Sequence, residues 1–180
     1  MERRSESLQP RGCVHVYTGN GKGKTTAALG LCLRAVGAGY RVCIVQFMKT
    51  GDYSELKALE RLGDQVTLEQ FGSGRFVRGN PSKEDRRKAR EGFLAAQAAL
   101  SGGEYQMVIL DECIIALHQG LLSLEQLQSL IELRQEGVEL ILTGRYAPPE
   151  IIARADLVTD MQEVKHYYRN GIPARVGIEK

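Results

Sequence analysis

Short apolar runs alternate along the chain with stretches in which apolar residues recur every three or four positions. The runs fall at residues 13–17, 42–47, 66–70, 107–110 and 138–142, with a weaker sixth at 157–158. Most are rich in Val, Ile or Leu and lack strict alternation, the pattern of strands covered on both faces, as in a parallel sheet. Between them, residues 25–36 are compact, rich in Ala and Leu, and helical in pattern. Ser82, just after Pro81 and three residues before Asp85, predicts a capping-box helix start. That helix places Ala89, Phe93, Ala96 and Leu100 on one face. Ser123 and Gln126 make a similar start for a helix carrying Leu127, Leu130 and Ile131, and Pro148 and Pro149 suit the first turn of a short helix. The alternation of strand and helix predicts a doubly wound α/β domain with a mostly parallel sheet. Near the end, Asn170-Gly171 predicts a C-terminal hairpin between residues 163–168 and 173–178, with Pro173 keeping its strand at an edge. Residues 72–80, with Gly72, Gly74 and Gly79, read as a long loop of the kind that often carries function.

The chain has 180 residues, with no internal repeat and no dividing linker. This predicts one domain over residues 13–180 behind a flexible N-terminal arm, residues 1–12. A net charge of +2 is too small to point to a nucleic-acid or membrane partner. The four cysteines, Cys13, Cys32, Cys43 and Cys113, show no C-x-x-C spacing and read as buried free thiols suited to a reducing cytosol. The first residues lack the apolar centre of a signal peptide, and no run is long enough to cross a membrane. A cytoplasmic protein is expected.

The chemistry concentrates after the first apolar run. Thr18 is followed by Gly19, Asn20, Gly21, Lys22, Gly23, Lys24, Thr25 and Thr26. Strand, Gly-rich turn and helix start fall in the order of a phosphate loop. Its glycines let successive N–H groups curl inward on phosphate oxygens, and the helix end adds its dipole. Lys24 is placed to reach a phosphate, and Thr25 to hold Mg²⁺ through its hydroxyl. Thr18 stands where the generic motif has its first Gly.

Asp111 and Glu112 close the apolar run at 107–110. A strand ending in Asp-Glu is the usual partner of a phosphate loop, and one carboxylate helps hold the metal. Generic strand-end logic favours Asp111. On these residues alone, a transferase, an ATPase or kinase, and a nucleotide-dependent switch all stay open.

The chain resembles the P-loop type of ATP:corrinoid adenosyltransferase. The matching blocks are TGNGKGKTTAALGL at 18–31, RAVGAGYRV at 34–42, VQFMK at 45–49, VILDE at 108–112, LTGR at 142–145, ADLVTDM with EVKH within 155–166, and the closing GIPARVGIE. The resemblance implies a P-loop NTPase-like fold, with ATP and a reduced corrinoid as substrates. Co(I) attacks the 5′ carbon of the ribose and triphosphate leaves, so no catalytic base is needed. It further implies catalytic weight on Lys24, Thr25 and Glu112. Nucleotide binding is implied at residues 19–26 and Arg34, and Mg²⁺ (or Mn²⁺) binding at Thr25 and Glu112, with ATP lying reversed along the loop. Phe76 matches an aromatic that helps strip cobalt of its lower ligand, whereas Arg78 stands where some members carry Trp. A homodimer, an electron-donating flavoprotein and an N-terminal arm over the nucleotide are implied as well. His166 reads as structural. Arg145, after a strand end, suits either a phosphate or a salt bridge.

Overall fold

The computed structural model describes residues 11–75 and 79–179. Six strands form one all-parallel sheet: β1 Val14–Thr18, β2 Val42–Phe47, β3 Val66–Phe71, β4 Met107–Asp111, β5 Glu139–Thr143 and β6 Leu157–Asp160. Their spatial order is β3-β2-β4-β5-β1-β6. Six α-helices connect them: α1 Lys24–Gly37, α2 Ser54–Glu60, α3 Lys83–Ser101, α4 Cys113–His118, α5 Leu124–Leu133 and α6 Pro149–Ile152.

The lack of strict alternation in the central apolar runs is explained by two cores, one on each sheet face. Val42 and Ile44 of β2, Met107 and Ile109 of β4 and Ile141 of β5 pack with Ala28, Cys32 and Ala35 of α1. The alternate residues, Cys43, Val45 and Phe47, Val108 and Leu110, and Leu140 and Leu142, pack with α3, α4 and α5 on the opposite face. A strand with helices on both faces has no polar side. The predicted face of α3 is the buried one, with Ala89, Ala96 and Leu100 buried and Phe93 packed against the core. Both predicted capping boxes are present, at Ser82 with Asp85 and at Ser123 with Gln126.

The expected C-terminal hairpin is not formed. Among the described residues the chain after β6 contains no strand, only a 3-10 turn at Tyr167–Asn170 followed by turns. Asn170-Gly171 does reverse the chain, with Gly171 at φ 79. The flanks lack a buried face, however: Val164 is 95% and Val176 83% exposed. A two-stranded ladder with nothing packed beneath it is marginal in water. The segment instead folds back on the phosphate loop. Phe76, Arg78 and most of the expected N-terminal arm (residues 1–10) lie outside the described residues.

Candidate active site

Parallel α/β sheets bind ligands at the carboxyl ends of their strands, and the predicted chemistry gathers there. β1 delivers the chain into the loop before α1. Met161 N donates to Thr18 O (2.9 Å) and Gly21 N to Met161 O (2.6 Å), so the loop is pinned to the continuation of β6. Only glycine tolerates this approach. A Cβ at Gly19, whose φ is 92, would stand 2.2 Å from Asp160 Oδ1, and one at Gly21 2.7 Å from Met161 O.

The helix that follows is left open for an anion. α3 and α5 are capped by serines and carry acidic residues in their first turns. α1 starts from Gly23, with no side-chain cap and no acid in its first turn. Its leading N–H groups and dipole face the cleft unopposed. The cleft, about 720 Å³, is lined by residues 21–26 of the loop with Lys49, Tyr53, Glu112 and Arg145, among others. Lys24 is buried and donates to the carbonyls of Gly19 and Gly21, both at 2.7 Å. Burial, and then the nearby Arg145, pull its pKa below the ordinary lysine value.

Asp111 and Glu112 have opposite surroundings. The Asp111 carboxylate is 1% exposed and accepts four hydrogen bonds. Oδ1 takes the hydroxyls of Thr25 (2.9 Å) and Thr143 (2.7 Å), and Oδ2 takes Gln46 Nε2 (3.1 Å) and Lys49 Nζ (2.7 Å). Glu112 sits at φ 59 and its carboxylate has no hydrogen-bond partner among the described residues. Burial, and then the adjacent Asp111, push its pKa up. A saturated carboxylate is a poor metal ligand; a free one lining the same cleft as Thr25 is a suitable one.

A second, less polar cleft of about 440 Å³ adjoins the first. It is lined by residues of the β2 end, by Gly74 and Arg75 of the long loop, and by Ile115. Lys49, Tyr53, Glu112 and Arg145 line both clefts.

The structure thus brings together residues 21–26 and Glu112. Gly19 and Asn20 face a separate depression, with Tyr146 and Arg169. Arg34 is not at the cleft: it is exposed, about 15 Å further along α1 than Lys24. Lys22 is engaged by the returning C-terminal segment, donating to Tyr167 Oη (3.1 Å), Ile178 O (2.9 Å) and Glu179 Oε1 (2.8 Å). His166 caps the 3-10 turn, accepting from Tyr168 N, and also lines the nucleotide cleft. Sequence reasoning missed Lys49, Tyr53 and the tail residues Gly177, Ile178 and Glu179. The signal for Lys49 was a cation two residues past a buried strand, within the VQFMK block.

The profile of the family described as ATP:corrinoid adenosyltransferase BtuR/CobO/CobP matches residues 10–179. The chain belongs to this family. It is 35% identical over 179 residues to a corrinoid adenosyltransferase of Pseudomonas aeruginosa, covering 99% of this chain and 88% of that protein. It is 36% identical to one of Escherichia coli (98% and 90% covered) and 34% identical to one of Salmonella typhimurium (98% and 90%). Among solved structures, a KaiC-like protein of Pyrococcus horikoshii superposes with a TM-score of 0.54 at 21% identity, covering 84% of this chain and 74% of that one. That likeness is one of fold: an α/β P-loop domain.

Proposed function

We propose that this chain transfers the 5′-deoxyadenosyl group of ATP to Co(I) of a corrinoid and releases triphosphate. The observation that carries this reading is the pair of adjoining clefts with a common wall at Lys49, Tyr53, Glu112 and Arg145. A phosphate-binding cleft is continuous with a less polar one, as a reaction between a nucleotide and a large, largely apolar macrocycle requires. Hydrolysis of ATP needs no such second cleft.

The loop amides, the start of α1 and Lys24 would bind the triphosphate and hold the ribose at the boundary between clefts. Cobalt, as substrate, supplies its own electron pair, so the site needs to orient two reactants and stabilise the leaving group. The residues fit a Mg²⁺ ion, with Thr25 and Glu112 to hold it. A hard cation of this kind would be held mainly by phosphate oxygens, water and one carboxylate. When bound, such an ion neutralises charge on the triphosphate. Asp111 positions Thr25 for this role. A flavoprotein electron donor and a homodimer accompany this reading, and Phe76 is proposed to act on the lower face of the corrinoid.

The test is product analysis. Protein, ATP, Mg²⁺ and chemically reduced cobalamin should yield inorganic triphosphate and the light-sensitive spectrum of a cobalt–carbon bond. ADP and phosphate without that spectrum would instead identify an ATPase.

A further inference from the structure

Two cations line both clefts, Lys49 and Arg145. Arg145 is exposed and has no ion pair among the described residues. Lys49 is held. Its Nζ lies 2.7 Å from Asp111 Oδ2, 3.5 Å from Thr25 Oγ1 and 5.7 Å from the centre of the Tyr53 ring. Its side chain is only 17% exposed. Through Asp111, Lys49 is fixed in register with Thr25 and therefore with the phosphate loop. An ammonium has three protons to donate, and Asp111 takes one at short range. Donor capacity remains for an anion at the wall between the clefts.

The reaction creates such an anion. Co(I) gives an electron pair to C5′, the C5′–O bond breaks, and its electron pair stays on the α-phosphate oxygen. No proton moves. The new charge arises where the nucleotide cleft meets the corrinoid cleft. Lys22 and Lys24 line the nucleotide cleft but not its neighbour. Glu112 has the wrong sign, and Tyr53 has no cationic group.

We propose that Lys49 is a further catalytic residue, donating to the α-phosphate oxygen as it leaves C5′. This rests on the adenosyl-transfer reading above. A donor fixed in place before the charge develops is worth more than one that must reorganise.

The new charge persists in free triphosphate, which gives a readout beyond activity. Lys49→Met should lower kcat with supplied Co(I) by about 100- to 1,000-fold. It should weaken triphosphate binding at fixed Mg²⁺ several-fold more than ATP binding. Lys49→Gln, whose amide can still donate to Asp111 Oδ2, covers the case in which Lys49→Met alone folds poorly and should show the same selective loss of triphosphate affinity. An unchanged kcat, or equal losses of ATP and triphosphate affinity, would overturn the proposal. A parent enzyme that forms neither triphosphate nor a cobalt–carbon bond would overturn the underlying reading instead.

Discussion

Replacing Asp111 by Asn tests whether the two adjacent carboxylates have separate roles. The amide oxygen can keep the position of Oδ1 and still accept from Thr25 and Thr143. The amide nitrogen then replaces Oδ2 and faces two donors, Gln46 Nε2 and Lys49 Nζ. Gln46 cannot flip without cost, because its Oε1 accepts from Gln70 Nε2 at 3.0 Å. The change removes a charge-assisted bond, worth about 2 kcal/mol, and sets a donor against a donor for about 1 kcal/mol more. Lys49 keeps some solvent contact, so the total stays below the extreme for a fully buried orphan charge. About 3 kcal/mol in a chain of this size corresponds to a fall in Tm of roughly 6–12 °C.

Glu112→Gln should behave in the opposite way. No hydrogen bond to its carboxylate is lost among the described residues, and removing a charge disfavoured by burial leaves Tm at pH 8 equal to the parent's or higher. Its defect should appear in Mg²⁺-dependent ATP binding. Thermal melting of both variants without metal, followed by ATP titrations across Mg²⁺ concentrations, separates the two effects. If Asp111→Asn melts within a degree of the parent, or Glu112→Gln melts as low as Asp111→Asn, the division of labour is wrong.

Three further outcomes follow from the site and its surroundings. Glu179→Gln removes the carboxylate that engages Lys22; ATP affinity should rise roughly two- to fivefold at low ionic strength, the gain shrinking with added salt, and weaker binding would mean that Glu179 presents Lys22 to the nucleotide. Because Glu112 holds its proton more tightly when folded, its contribution to stability is full below the ordinary value of 4.5 and is lost as pH rises through the raised folded pKa. The Tm advantage of metal-free Glu112→Gln over the parent should therefore grow across that window and then level off, and a gap that does not vary with pH would contradict the shift. Cys32, Cys43 and Cys113 are buried, with the first two thiols pushed by burial up to about 11 and about 12. At pH 8, iodoacetamide should label only Cys13 in the native protein and all four cysteines in denaturant; native labelling of Cys32 would mean α1 is not packed as described.

The fold was legible because it rests on burial. Strands β2 and β4 sit between other strands with helices on both faces, and their sequences are apolar except for the buried Gln46 and the terminal Asp111. Ser82 and Ser123 mark helix starts through a hydrogen-bond pattern complete within four residues. α2 was not legible: it has no side-chain cap and no buried residue. α4 was hidden because it begins directly after Asp111-Glu112, in an apolar stretch that continues the strand pattern. The C-terminal hairpin failed because a local turn signal says nothing about what lies beneath the flanking residues.

At the site, sequence identified the loop and the acidic pair but not the device that aims the side chains. Outside glycine, three described residues have positive φ: Met48, Glu112 and Tyr146. They follow β2, β4 and β5, which are neighbours in the sheet. A left-handed residue costs a non-glycine side chain roughly 1–2 kcal/mol, and such costs gather where function fixes the geometry. Each lies next to or within the common wall: Met48 precedes Lys49, Glu112 is itself in the wall, and Tyr146 follows Arg145. Glycine at any of the three would relieve strain, but Glu112→Gly would also remove the free carboxylate. The strain is therefore kept at the three strand ends where the two clefts meet, and a sequence showing Met, Glu and Tyr there gives no sign of it.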